Sequence, residues 1–301
     1  IAGAHGKTTT TAMVAEILVD AGLDPTVVVG SFIKKFNSNF RKGKGEYLIV
    51  EADEYNRHFL NFHPYLTVVT NIEVDHLDYF KNLEDIEDAF DQLLAQSENK
   101  ILDYKKYLAE IPQLSVPGEH NRMNAAAAFA VAATLGIKEG TIKKSLAEFS
   151  GTWRRLELRC RTPKGVMIYD DYAHHPTEIR ASLEALRSIY PRGEKTITVL
   201  FQPHLYSRTK ALFEDFVTCF QDADRILLLP IYFAREKKDE SVSSEKLAEA
   251  MKGEGAQVIA FPDFKSAEEA VSALSLGSRD VFVTMGAGEA YKVADTVFGL
   301  S

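Results

Sequence analysis

The residues best suited to chemistry open the chain. Gly3-Ala4-His5-Gly6-Lys7-Thr8 has the glycine spacing of a loop whose backbone N–H groups turn inward onto phosphate oxygens. Lys7 supplies a point charge for β- and γ-phosphates, and the Thr8 hydroxyl reaches toward Mg2+. A helix starting here aims its positive end at the same oxygens. The lesser alternative is a plain glycine-rich turn before a helix. An acid further along favours the phosphate loop: Glu51, in VEADEYN (50–56), closes a strand at the carboxyl end, where ligands of open sheets sit. A carboxylate there suits the Mg2+ of a nucleotide. Asp53 and Glu54 read as solvated turn charges. In TNIEVDHLDYF (70–80), Asn71, Asp75, His76 and Asp78 cluster beyond the next strand, a set suited to a second metal ion.

The elements that must carry these residues alternate. TVVVG (26–30), YLIVE (47–51) and YLTVVTN (65–71) are short, apolar and bounded by turn residues, as strands are. Residues 8–21 place Met13, Val14, Ile17 and Leu18 at helical spacing, with Gly22 as the stop. Residues 83–95 and 124–135 are also helical, AAAAFAVAA (125–133) being a closely packed helix. Beyond SGTWRRLELRC (150–160) the order is regular. VMIYDD, KTITVLF (195–201), RILLLPI (225–231), QVIAFP (257–262) and DVFVTM (280–285) are strands, each followed by a helix. The first of these helices opens at Pro176 and the second at about Thr209. Five strand–helix units predict a mostly parallel sheet covered on both faces. The fold class is α/β, in two domains, 1–150 and 151–301.

Composition narrows the rest. The 301 residues are 46% hydrophobic and 26% charged with a net charge of -8, a globular balance that argues against a general nucleic-acid surface. No run approaches the ~18 apolar residues of a membrane span, and the first residues do not resemble a signal peptide. Cys160 and Cys219 lie far apart without metal-type spacing, which favours buried thiols over a disulfide.

These segments together resemble a known family. GAHGKTTTT, EADE, TNIEVDHLD and PGEHNRMNAAAA (117–128) are similar to the ATP-binding central domain of the Mur ligases. WRRLE (153–157), DDYAHHPTEI (170–179) and FQPHLYSRT (201–209) resemble the branch that joins L-alanine to UDP-N-acetylmuramate. The resemblance implies a P-loop central domain followed by a Rossmann-like C-terminal domain. The family's N-terminal UDP-binding domain has no counterpart here, and the stretch between Gln96 and Pro117 is short for a relative.

The resemblance also implies a reaction. ATP phosphorylates a carboxylate, and the acyl phosphate is then attacked by an amine. Lys7, Glu51, His76 and Arg155 would be the catalytic set. Gly3, His5, Gly6, Lys7, Thr8, Thr9, Asn121, Asn124, Arg155 and Asp171 would contact ATP, with Asn124 at adenine, Asn121 shaping its turn and Asp171 at the ribose. Thr8, Glu51 and His76 would hold Mg2+. Arg154 is the alternative to Arg155 at the phosphates. His174, His175, His204 and Arg208 would form the amino-acid and acyl end; the histidine pair has no third ligand at zinc-like spacing. ATP ligands in both domains imply closure about a hinge at 151–153. UDP-N-acetylmuramate and L-alanine are the implied substrates, the bacterial cytoplasm the implied place, and neither nucleic acid nor membrane an expected partner. The oligomeric state is left open. Two alternatives stand beside this reading: a ligase using a recycled tripeptide, and a catalytically incomplete ATP-binding module.

Overall fold

The computed structural model describes every residue except Leu77, Asp78, Arg235 and Ser301. Its contacts divide the chain into two compact units, Ile1–Trp153 and Arg154–Ser301.

The first unit holds α1 (Lys7–Asp20), β1 (Thr26–Ile33), β2 (Ser38–Arg41), β3 (Leu48–Val50), β4 (Leu66–Val68), α2 (Leu83–Gln96), β5 (Asn99–Ile101), α3 (Glu119–Thr134) and α4 (Glu139–Glu148). β1 pairs antiparallel with β2 and parallel with β3, and β4 pairs parallel with β5. Ile1 and Ala2 stitch the two sheets together. The Ile1 carbonyl accepts from Ala52 at 2.8 Å, the Ala2 N–H donates to Val68 at 2.9 Å, and the Ala2 carbonyl accepts from Thr70 at 2.9 Å. The phosphate loop therefore starts from inside the sheet. Helix α1 is buried from Thr8 to Leu18, because α3 packs on it through a stripe of buried alanines, Ala125 to Ala128, Ala130 and Ala132. Small side chains let two helices approach closely, where a larger residue would overpack. α3 begins five residues before the expected start, because Gly118, at φ 98°, turns the chain into a polar first helical turn.

The second unit has β6 (Glu157–Arg161), β7 (Met167–Asp171), α5 (Pro176–Ile189), β8 (Thr196–Phe201), α6 (Tyr206–Ala211), α7 (Phe213–Thr218), β9 (Arg225–Leu228), α8 (Ser244–Gly253), β10 (Val258–Ala260), α9 (Phe264–Ala273), β11 (Asp280–Met285) and α10 (Tyr291–Phe298). The sheet order is β10-β9-β8-β11-β7-β6. All pairs are parallel except the edge pair β6–β7. β6 alternates Glu157, Arg159 and Arg161 with Leu158 and Cys160, so it lacks the apolar run by which its neighbours are recognised. One face of the sheet packs on Ile179, Leu183 and Leu186 of α5, Phe216 of α7 and Leu247 and Met251 of α8. The other packs on Ala267 and Val271 of α9 and Val293 and Ala294 of α10. The chain passes from β7 to β8 and later returns to lay β11 between them. The carboxyl ends of these three strands thus converge where the strand order switches, the place that open α/β sheets use for ligands. Cys219 is buried, Cys160 half-buried, and both are free.

Candidate active site

In the first unit the loop is held from three sides. The His5 N–H donates to Asn71 Oδ1 at 2.8 Å, and Thr70 Oγ1 donates to the His5 carbonyl at 2.6 Å. Asn71 thus braces the loop. Gly3 and Gly6 have positive φ, 135° and 80°. A Cβ at Gly3 would lie 2.0 Å from Thr70 Oγ1, and one at Gly6 2.2 Å from Asn124 Oδ1. Asn124 is therefore packed against the loop. Its Nδ2 donates to Asn121 Oδ1 at 3.4 Å, and Asn121 Nδ2 donates to the Pro117 carbonyl at 2.6 Å. Thr9 is buried in the first turn of α1.

Two carboxylates meet this loop in different ways. Glu51 follows β3. Its Oε1 accepts from Thr8 Oγ1 at 2.7 Å, and its Oε2 from the Gly30 N–H at 2.7 Å. Glu54 corrects the sequence reading: it is not a solvated turn charge but is 3% exposed. Its oxygens lie 2.8 and 2.9 Å from Lys7 Nζ, which also donates to the Gly3 and Ala4 carbonyls at 2.6 and 3.1 Å. His76 Nε2 is 3.6 Å from Glu54 Oε1 and 3.9 Å from Asp75 Oδ2. Burial opposes ionisation of Glu54, but the Lys7 charge and the bonds from His76 and Lys7 hold its carboxyl below the usual range. Asp53 is exposed, beside His58. Asp78 lies outside the described residues.

In the second unit the two arginines of WRRLE separate. Arg154 is buried, with its guanidinium spent inside the unit: Nε donates to Asp170 at 2.7 Å, and the other nitrogens to the Gly286 and Gly288 carbonyls at 2.7 and 3.1 Å. Arg155 is half-buried, its guanidinium carbon 5.1 Å from the centre of the Tyr172 ring. Asp171 ends β7. It accepts from Ser182 Oγ and from the Ala173 N–H, bracing the turn into α5. Burial pushes its carboxyl up to about 6, against the Ser182 bond and the Arg155 charge.

That turn carries His174 and His175. His174 Nδ1 lies 3.0 Å from the Tyr172 carbonyl and 3.4 Å from Glu178 Oε2. His175 caps α5, with its ring nitrogen accepting from the Thr177 N–H and Glu178 closing the capping box. Beyond β8, His204 Nδ1 lies 3.2 Å from an Arg208 nitrogen. The His204 ring stacks on Tyr232 at 5.5 Å and meets His174 at 5.9 Å. The structure therefore gathers all four expected acyl-end residues at one sheet end. Beside them, the loop after β11 closes on Gln202, whose Oε1 accepts from the Glu289 N–H at 2.7 Å. A Cβ at Gly288 would lie 2.2 Å from that oxygen.

The comparisons with known proteins agree with this geometry. Residues 1–106 match the Mur ligase middle domain, and residues 154–288 the Mur ligase, glutamate ligase domain. A protein of Solidesulfovibrio magneticus named UDP-N-acetylmuramate–L-alanine ligase is 39% identical, over 97% of this chain and 74% of its own. This chain belongs to the Mur ligase family. A relative of the same name from Caldicellulosiruptor saccharolyticus is 38% identical over all of this chain and 76% of its own. That match runs over 352 positions against the 301 residues here, so several tens of positions in the relative have no counterpart. The crystal structure of UDP-N-acetylmuramate–alanine ligase from Thermotoga maritima superposes with a TM-score of 0.80 at 25% identity, over 98% of this chain and 73% of that one. A murein peptide ligase from Psychrobacter arcticus, at 19% identity and TM-score 0.65 over 99% of this chain and 75% of that one, shares the fold.

Three parts of this Mur ligase site went unread in the sequence. Glu54 stands three residues after Glu51, and only burial distinguishes it from a surface acid. Glu178 was visible as the third helical residue after the cap, the capping-box position, yet that signal gives it a structural role alone. The Gly286–Gly288 loop lies far from the other motifs in sequence, and only the placing of β11 brings it to them.

Proposed function

We propose that this Mur ligase adds L-alanine to the carboxylate of UDP-N-acetylmuramate, using ATP, as a step of peptidoglycan precursor synthesis. The observation that carries the mechanism is the paired arrangement on the phosphate loop, Thr8 with Glu51 and Lys7 with Glu54 and His76. A carboxylate resists amines because its oxygen leaves poorly, so it must first take the γ-phosphoryl group. That brings two anions together, and the cations of the site must offset their repulsion. Lys7 supplies one charge. The Thr8 hydroxyl and the Glu51 carboxylate are hard oxygen donors that suit Mg2+, and the Gly30 N–H fixes the carboxylate's orientation. His76 and Glu54 offer a second donor pair. Bound Mg2+ would neutralise phosphate charge and polarise the phosphoryl oxygens.

Arg155 is the arginine assigned to the phosphates, since Arg154 is committed to Asp170 and two carbonyls. Asn124 beside Gly6 is assigned to adenine and Asp171 to the ribose side. This reading places the reaction in the bacterial cytoplasm. Among the described residues no helix is long and apolar enough to cross a membrane.

The test is phosphate release from Mg-ATP with UDP-N-acetylmuramate, with and without L-alanine. Release that requires both substrates, and that falls at least ~10²-fold in Lys7→Ala, is the expected result. ATP binding without release would overturn the ligase reading in favour of a binding module. Turnover with a tripeptide but not with L-alanine would overturn the choice of amine.

A further inference from the structure

The histidines at the end of the second unit's sheet differ in where they carry their protons. His174 Nδ1 faces two oxygens that can only accept, the Tyr172 carbonyl at 3.0 Å and Glu178 Oε2 at 3.4 Å. The Nδ1 proton is thereby fixed, and the neutral ring keeps its lone pair on Nε2. His204 is the reverse. Its Nδ1 faces an Arg208 nitrogen at 3.2 Å, and a guanidinium has no acceptor. The lone pair must lie on Nδ1 and the proton on Nε2. His175 follows His204, because its Nδ1 accepts from the Thr177 N–H at 3.3 Å. Of these three imidazoles, only His174 presents Nε2 as an acceptor.

His174 also has a carboxylate behind it. Glu178 is held in place, its Oε2 accepting from the His174 N–H at 3.0 Å and from the His175 N–H at 3.3 Å. A fixed carboxylate on the far nitrogen of an imidazole sets its tautomer, orients the ring and stabilises the cation formed when the near nitrogen takes a proton. Among the groups around His174 are the His204 ring at 5.9 Å, the Tyr172 ring at 5.4 Å and, across Tyr172, the Arg155 guanidinium.

We propose that His174 is the base that deprotonates the attacking amine, and that Glu178 is its positioning residue. The assignment rests on the ligase reading above. L-Alanine arrives as an ammonium ion and cannot attack until a proton leaves. That proton goes to His174 Nε2. The freed nitrogen pair forms the C–N bond to the acyl carbon. The C–O bond to the phosphoryl group breaks, and phosphate departs with that electron pair, taking up the second proton that the nitrogen sheds as it becomes an amide. His204, showing an N–H beside the Arg208 charge, is built to donate, so it faces the amino acid's carboxylate and not its amine.

Two measurements on the full chain decide the matter. Long-range 1H–15N spectra of the histidine rings should show the Nδ1–H tautomer for His174 and the Nε2–H tautomer for His204; the opposite pattern would overturn the assignment. In turnover, His174→Gln should still form acyl phosphate, trapped by hydroxylamine in the presence of ATP and UDP-N-acetylmuramate. Its amide formation should drop ~10²-fold or more. Glu178→Gln keeps an oxygen for the two backbone N–H groups. It should move the acid limb of the kcat profile to lower pH with the KM for L-alanine within about twofold, whereas His204→Gln should raise that KM and leave the limb in place. Amide formation at the wild-type rate in His174→Gln, or equal loss of both steps, would overturn this assignment alone. Wild-type protein that forms no acyl phosphate would overturn the ligase reading and this assignment with it.

Discussion

Glu51 and Glu54 stand three positions apart and are held in opposite ways, one by a hydroxyl and a backbone N–H, the other by an ammonium. Replacing Glu54 with glutamine leaves Lys7 without its counter-charge in a poorly solvated place. We expect a stability loss of up to about 3 kcal/mol in thermal melts, with a larger stabilisation by Mg-ATP than in wild type, because phosphate then supplies the missing anion. The folded Glu54 carboxyl titrates below its unfolded value. Its contribution is therefore full above the ordinary carboxylate range and is lost as pH falls through the depressed value. Glu16 runs the other way. Burial pushes its carboxyl from 4.5 up to about 7, partly offset by Lys35 at 3.9 Å and reinforced by Asp20. A raised acid costs stability as pH climbs from the unfolded value to the folded one. Glu16→Gln should thus stabilise the protein at pH 8, by up to about 3 kcal/mol, and have little effect at pH 4. Equal effects at the two pH values in urea titrations would contradict this. The two arginines also part. Arg154→Met strips Asp170 and two carbonyls of their donor and should cost about 3–5 kcal/mol. Arg155→Met should leave the urea midpoint near wild type and act on turnover.

At the scale of elements, the phosphate loop depends on what packs behind it. Gly6→Ala would set a methyl 2.2 Å from Asn124 Oδ1 at a φ of 80°, so it should displace Asn124 and abolish ATP binding measured by calorimetry, while far-UV dichroism changes little. On α3, Ala127→Leu should cost about 1–3 kcal/mol by overpacking against its neighbours. Much of this layer is legible in the sequence. The apolar run of β8 and Pro176 at the first position of α5 announce themselves through local pattern and fixed backbone angles. Lys7, Thr8 and Glu51 were readable because a turn and a strand end place them, and the imidazoles because their motifs flank strands. The unread parts depend on distant neighbours. Glu54 becomes a loop partner only through burial beside residues about fifty positions away. Ile1 and Ala2 become sheet residues only once β3 and β4 flank them. Arg154 and Arg155 are the same residue type one step apart, and only the Asp170 pairing tells them apart.

At the scale of the whole molecule, each unit has its own apolar clusters. Residues 154–301 should therefore fold as a separate piece with a single cooperative urea transition by far-UV dichroism; a chain without cooperativity would refute it. Trp153, the sole tryptophan, belongs to the first unit, its N–H donating to the Phe32 carbonyl at 3.0 Å. Its fluorescence should follow that unit alone, while dichroism follows both. The Arg154 bonds hold a last consequence. They clasp the first residue of the second unit to Gly286 and Gly288, and Arg159 joins Asp295 of α10 at 3.2 Å. The first residues of this unit are thus tied to the loop and the helix that follow its last strand, as a strap is buckled to its own far end. A flexible linker long enough to run along the sheet from residue 300 back to 154, with new ends cut in the exposed turn at 192–194, should give a circular permutant that keeps the same sheet, checked by far-UV dichroism.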